Sequence, residues 1–315
     1  MSSILLFSSG SRILSSKNGV GGILVLSASA LTKVHPGAGR SPGVVDLPVV
    51  RDPLGYPFIP GSMIKGSLRS LAERKAQDKV RCLFGPDVSD PNKHAGALAF
   101  SDLYPLFVPA PSIEHGVVYL TSPALLSRAA ALLREAGRTE IAESLEKLAS
   151  GASRGPVFTG QTKNRRVSVG SLEFEIPETE TMSRSNPEFP ESLYNSLNPL
   201  YNTLPPKDRI LVVPEEQAVL AVDAQLLRVA RVRLDDTTKT VAKGGLWTEE
   251  YLPWGTLFLG AIFATGFKGS GCDKIGNPLL ELVNIIKRNN NEETFSIVVG
   301  GKETVGSGLL RAKTI

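Results

Sequence analysis

Gly61, Ser62, Lys65, Gly66 and Arg69 are the grouping in this 315-residue chain whose types and spacing best suit capture of an anion. They lie in Pro57-Phe-Ile-Pro-Gly-Ser-Met-Ile-Lys-Gly-Ser-Leu-Arg69, a Pro-Gly-Ser turn opening an amphipathic run. The first N–H groups of a helix are unpaired and its dipole is positive there, so that end attracts phosphate. Ser62 suits the N-cap, and Gly61 leaves room for a ligand beside the backbone. Lys65 and Arg69, four residues apart, share one helix face and can reach the same anion. An ordinary capped helix with a solvated basic face has the same local signature.

Asp46 lies upstream, in a Gly/Pro-bounded loop that follows a buried strand, where side chains are exposed yet held by a rigid scaffold. The same placement suits an Asx turn. Asp52 is free to pair with Arg51, and His35 suits either a hydrogen-bonded turn or a site. With only three histidines (His35, His94, His115) and no His-Glu-x-x-His or Asp-x-Asp pattern, a preformed metal cage is not expected. The glycine-rich stretches 269–272 and 300–308 lack the spacing and Lys-Ser/Thr ending of a nucleotide-binding loop.

Mixed α and β elements must position these groups. Residues 22–31 read as a buried strand running into the loop at 35–48, and 63–77 as a helix carried by Ile64, Leu68, Leu71 and Ala72. Residues 97–101 and 117–120 read as short strands. Ser122-Pro123 opens a helix that Gly137 closes, Thr139 begins another, and 150–206 reads as largely irregular. Beyond it, 209–213 is a strand and Pro214 starts a short helix or turn. Residues 226–234 and 239–247 form a basic hairpin around the turn 235–238, Asn277-Pro278 caps a helix, and 295–299 is a final strand. Strand–helix–strand twice, with insertions, points to a ferredoxin-like or RRM-like core. The hydrophobic fraction of 42% is enough for such a core, and the net charge of +4 favours an anionic partner. Cys82 and Cys272 stand far apart, against a disulfide scaffold or a cysteine-based zinc site, so a reducing cytoplasm is the expected compartment. No apolar run is long enough for a signal core or a membrane span.

The string His35-Pro-Gly-Ala-Gly-Arg-Ser-Pro-Gly-Val-Val-Asp46-Leu-Pro-Val-Val-Arg51-Asp52, read together with the Pro-Gly-Ser turn, resembles the RAMP superfamily of CRISPR RNA-binding proteins. The likeness is to the backbone subunits of type III-B (Cmr) effector complexes. Three further segments match in order: Cys82-Leu-Phe-Gly-Pro with Ala95-Gly-Ala-Leu-Ala-Phe-Ser-Asp102, then Lys239-Thr-Val through Leu246-Trp-Thr-Glu-Glu-Tyr-Leu-Pro253, then Val299-Gly-Gly-Lys-Glu-Thr-Val-Gly-Ser-Gly-Leu309. The first ~20 residues have no counterpart.

This resemblance implies an α+β fold: an RRM-like palm formed by 22–121 and 207–315, a helical and irregular insertion at 122–206, and a projecting thumb hairpin at about 228–247. Residues 1–21 would be an N-terminal extension. It also implies a subunit that binds guide RNA and cleaves complementary target RNA at about every sixth nucleotide. Asp46 is the essential catalytic residue in that reading, with His35, Glu249 and Tyr251 completing the site. A weakly held Mg²⁺ or Mn²⁺ would sit on Asp46, and Gly61, Ser62, Lys65, Gly66, Arg69, Arg51, Lys239 and Lys243 would contact RNA. The glycine-rich loop 300–308 would approach RNA or a neighbouring subunit. Expected partners are guide RNA, single-stranded target RNA, other Cmr subunits and further copies of the chain in a helical stack. A non-cutting guide-binding backbone, a guide-processing endonuclease and a metabolic enzyme with an anion-binding helix remain as rival readings.

Overall fold

A computed structural model describes residues 4–6, 12–14, 22–41, 43–177, 191–197, 205–287 and 294–315. Apart from two short paired strands, β1 (Ile4–Leu6) and β2 (Arg12–Leu14), the expected N-terminal extension falls outside them. β3 (Ile23–Ala30) is the apolar strand read from the sequence, buried along nearly its whole length. It leads through the loop bearing His35 and Asp46 to α1 (Gly61–Lys75) and α2 (Gln77–Phe84). The run expected as one helix therefore breaks at Ala76.

β4 (Leu98–Phe100), β5 (Tyr104–Ser112) and β6 (Gly116–Thr121) follow. Next come α3 (Pro123–Glu135), capped by Ser122 with Pro123 at its first position, and α4 (Thr139–Gly151). The stretch expected to be irregular carries β7 (Val157–Phe158), the hairpin β8 (Arg166–Val169) and β9 (Leu172–Glu175), and α5 (Glu191–Leu197). β10 (Ile210–Val212) and α6 (Glu215–Asp223) precede a long hairpin of β11 (Leu227–Leu234) and β12 (Val241–Tyr251). The chain ends with β13 (Leu257–Ala264), α7 (Pro278–Lys287), β14 (Thr294–Val298) and β15 (Leu309–Thr314). Asn277 caps α7 by accepting from the N–H groups of Leu279 and Leu280.

The central sheet is mixed, in the order β14-β15-β3-β13-β5-β6-β10-β7, with β4 also on β13. Only β6 and β10 pair in parallel within it. β3 and β13 are buried on both faces, which explains why neither carries a charge and why β3 has only two small serines among its apolar residues. One face packs Leu24, Leu26 and Phe258 against α1, α2 and α7, and the other packs Val25, Leu257 and Leu259 against α3 and α4. β11 and β12 form a two-stranded sheet of their own, separate from this sheet, with exposed residues along most of β11.

Cys82 and Cys272 form a disulfide, with their Cα atoms 5.5 Å apart across 190 residues of sequence. This corrects the expectation of two separate thiols and removes that ground for assigning a compartment. Distance along the chain does not limit contact once α2 and the turn Cys272–Lys274 are brought together. No helix among the described residues is long and apolar enough to cross a membrane.

Candidate functional site

Asp46 is exposed, at the start of a segment that lies along β12 like an extra strand. Leu47 bridges Glu249 in parallel: its N–H donates to the Thr248 carbonyl (3.0 Å), and its carbonyl accepts from the Glu250 N–H (3.0 Å). Asp46 Oδ2 accepts from the Thr248 N–H (2.7 Å) and the Thr248 hydroxyl (2.9 Å). In return the Asp46 N–H donates to Thr248 Oγ1 (2.9 Å). The bonds from the Thr248 backbone and side chain hold the Asp46 carboxyl below its ordinary value, so it is an anion at neutral pH.

Alternation along β12 sends Thr248 and Glu250 to one face of the hairpin and Trp247, Glu249 and Tyr251 to the other. On the first face Glu250 is buried; it accepts from the Val49 N–H (3.2 Å) and pairs with Arg51 (2.9 Å) and Arg228 (3.1 Å). Both arginines also pair with Asp223 at 2.7 Å. Burial pushes the Asp223 carboxyl up, but its bonds from Arg51 and Arg228 outweigh that and hold it down. These four charges fasten the Asp46 loop to the hairpin base and to α6. Farther out on this face, Val232 opposes Leu246 and Leu234 opposes Val241, all four exposed.

On the second face Glu249, wholly buried, accepts from Trp247 Nε1 (2.7 Å), Lys302 Nζ (2.7 Å) and the Tyr251 hydroxyl, with Arg231 Nε at 3.3 Å. Burial pushes its carboxyl up, but the bonds from Lys302, Tyr251 and Trp247 prevail and hold it down to about 2. Burial and Glu249 together push the Tyr251 phenol up to about 12. His35, also buried, contacts the Tyr251 ring (centroids 5.3 Å) and sets its Nδ1 2.7 Å from the Glu250 carbonyl. His35, Glu249 and Tyr251, expected to complete the site with Asp46, are all buried. Glu249 bonds Tyr251, Trp247 and Lys302 of the glycine-rich loop, and the His35 ring bonds the Glu250 carbonyl, on the hairpin face away from Asp46.

The start of α1 also differs from expectation. Pro60 is the N-cap, Ser62 is exposed and makes no cap bond, and the Gly61 N–H donates to Asp102 Oδ1 (2.8 Å). A protein carboxylate thus already occupies the positive end of the helix. A side chain at Gly61 would run into the backbone at Phe100, which by itself requires glycine there. Arg69 pairs with Glu73 (2.9 Å) and Asp87 (2.5 Å) and donates to the Gly85 carbonyl (2.9 Å), and Arg51 makes the pairs above, so in this structure both guanidinium groups bond partners within the chain. Lys65 is half-buried on the outer side of α1, beside Gly66, whose Cα faces open space. Gly66 and Ser67 line a cleft of about 440 Å³ between α1 and β14, closed by Arg74, Val298 and Gly300. Lys239 and Lys243 are exposed at the hairpin's far end.

The family profile of the RAMP superfamily matches residues 27–311. The chain belongs to the RAMP superfamily. It is 31% identical over 288 residues to the CRISPR system Cmr endoribonuclease Cmr4 of Pyrococcus furiosus, covering 89% of this chain and 92% of that one. It is 27% identical over 305 residues to the CRISPR system CMR subunit Cmr4 of Saccharolobus solfataricus, covering 90% and 94%. Among solved structures, type III-B Cmr-beta bound to cognate target RNA contains a chain similar at a TM-score of 0.72 and 22% identity, covering 94% of this chain and 98% of that one. Oligomeric Cmr4 from Pyrococcus furiosus is similar at a TM-score of 0.62 and 21% identity, covering 93% and 98%.

In this RAMP chain the sequence reading located Asp46 on an exposed loop but missed Thr248, Asp102, Asp223 and Lys302. Thr248 alone left a trace: in Thr-Glu-Glu-Tyr along a strand, residue 248 must face the same way as 250 and away from 249 and 251. The Asp102 contact has no counterpart in local sequence. No group of three or more His, Cys, Asp or Glu side chains able to hold a metal is found among the described residues. Asp46 by itself fits only a hydrated hard cation that would complete its shell with water and substrate oxygens.

Proposed function

We propose that this chain is the backbone subunit of a type III-B CRISPR ribonucleoprotein, binding guide RNA and cutting the complementary target strand with Asp46. The observation that carries the reading is an exposed, ionised carboxylate anchored at the base of a free-standing hairpin, in a chain related along most of its length to an endoribonuclease. The guide would lie along the outer side of α1, where Lys65, Gly66 and exposed Ser62 are accessible. Contacts there are to phosphate and sugar, since sequence is read by base pairing. Lys239 and Lys243 add charge at the hairpin tip. The exposed Val232, Leu234, Val241 and Leu246 supply an apolar edge that can wedge between bases, interrupting the guide–target duplex at about every sixth nucleotide.

RNA carries its own nucleophile. Asp46 orients the 2′-OH of the displaced nucleotide toward the adjacent phosphorus and takes its proton, and water protonates the leaving 5′-oxygen. The 2′-oxygen bonds to phosphorus, the bond to the 5′-oxygen breaks, and the products are a 2′,3′-cyclic phosphate and a 5′-OH. Positioning and charge placement supply the acceleration. Asp46 would hold a Mg²⁺ or Mn²⁺, which would supply neutralisation of the charge developing on the oxygens. Other Cmr subunits and further copies of the chain in a helical stack are the partners, and the cytoplasm is where such a complex works.

Asp46→Ala in a reconstituted complex tests this. Target cleavage should fall at least a hundredfold, with guide retention and melting temperature unchanged. Undiminished periodic cleavage would leave the second reading, a guide-binding scaffold that does not cut.

A further inference from the structure

We propose that Thr248 is the positioning residue for Asp46, clamping the carboxylate to the hairpin so that the two move as one body. The inference rests on the catalytic reading of Asp46. Its basis is a reciprocal contact between two exposed segments 202 residues apart in sequence. Thr248 gives Asp46 Oδ2 two hydrogen bonds, at 2.7 Å from its N–H and 2.9 Å from its hydroxyl, and its Oγ1 accepts from the Asp46 N–H at 2.9 Å. Two donors converging on one carboxylate oxygen fix the plane of the group, which a single bond would leave free to rotate. Side chains on loops are otherwise the least constrained in a fold.

The backbone makes the clamp rigid. The Leu47 N–H donates to the Thr248 carbonyl and the Leu47 carbonyl accepts from the Glu250 N–H, so the residue after Asp46 is laced to β12. Two residues further on, the Val49 N–H is held by the Glu250 carboxylate. Asp46 is thus set by the register of β12, not by β3 or the central sheet. Any displacement of the hairpin as it inserts into a duplex carries the carboxylate with it. Ala230 opposes Thr248 on the same face and is small and exposed, leaving the carboxylate accessible from that side.

The hydroxyl is separable from the backbone contribution. Thr248→Val keeps shape and β preference but removes the hydroxyl donor and acceptor, and Thr248→Ser restores them. In a complex reconstituted with guide RNA, single-turnover cleavage of bound target by Thr248→Val should fall about ten- to a hundredfold, as misplacement of a reacting group does. Target affinity should stay within about twofold, and Thr248→Ser should recover most of the rate. In an Asp46→Asn background, adding Thr248→Val should change the residual rate no further, because there is no carboxylate left to place. The inference is overturned if Asp46→Ala abolishes cutting while Thr248→Val cuts at the wild-type rate. It is also overturned if Thr248→Ser is as slow as Thr248→Val, or if the Asn and Val effects multiply. Wild-type cutting by Asp46→Ala would instead bring down the catalytic reading, and this inference with it. Should Thr248→Val fail to assemble, the comparison of Thr248→Ser with Thr248→Ala carries the same outcomes.

Discussion

The two faces of β12 divide the work between residues one position apart. Thr248 and Glu250 look toward the loop that carries Asp46, and Glu249 and Tyr251 look toward the glycine-rich loop at 300–308. Both faces hold carboxylates among cations, yet only the first ends in an exposed group with an open side. On the second, Glu249 gathers Lys302, Arg231, Trp247 and Tyr251 around itself in the interior. Chemistry needs a charge that a substrate can still reach, whereas a fully engaged charge is architecture. The adjacent acidic residues Glu249 and Glu250 are both buried and fully engaged in this structure.

Removing the hub should break this contrast most forcefully. Glu249→Ala strands the Lys302 ammonium and the Arg231 guanidinium around a vacated carboxylate site. Because Lys302 and Arg231 are about a third exposed, the expected loss is about 2 kcal/mol, below that of a fully buried pair, read as a lower urea midpoint at unchanged slope. If Glu249→Ala were as stable as wild type but inactive, Glu249 would belong to the reaction and the division of faces would be wrong.

Acid should titrate the same hub. The Glu249 carboxyl lies at about 2 in the folded protein against 4.5 ordinarily. A depressed folded value means that this contribution is complete above about pH 4.5 and is lost as pH falls toward 2. It amounts to at most about 3 kcal/mol. Urea melts at pH 6 and pH 3 should differ more for wild type than for Glu249→Gln, which has no carboxyl to protonate.

Smaller effects should separate the outer lysines from the tied arginines. Lys65→Ala and Lys243→Ala should each weaken RNA retention and reduce the slope of log affinity against log salt by about one, without affecting melting. Arg69→Ala should act mainly on stability, by roughly 1 kcal/mol, because its partners belong to the chain. The smallest expected effect is that of Ser62→Ala, a change in stability within about 0.5 kcal/mol, since Ser62 is exposed and caps nothing. A loss near 1 kcal/mol would show that it is the cap after all.

Much of the fold was legible where local chemistry is decisive. Ser122-Pro123 and Asn277-Pro278 marked helix starts because a capping oxygen and a residue lacking an N–H satisfy the same unpaired groups in any context. β3 was legible from its apolar run. β5 was not, since Pro105, Pro109 and Pro111 argue against a strand. The structure tolerates them because β5 pairs with β13 only through 104–107 and with β6 only through 108–112, leaving each half one open edge. The break at Ala76, the disulfide and the terminal strand β15 likewise depend on distant partners.

Of the site, the sequence by itself determined that Asp46 is an exposed acid on a short tether, that 226–247 is a basic hairpin, and that β12 turns alternate residues to opposite sides. Those properties belong to neighbours along the chain and to backbone geometry. It took folding to bring Thr248 onto Asp46, Asp102 to the start of α1, and partners within the chain onto Arg51, Arg69 and Glu249. A charged side chain has a use only in relation to what faces it. Those facing groups lie from two residues away, as Tyr251 does from Glu249, to 202 away, as Thr248 does from Asp46.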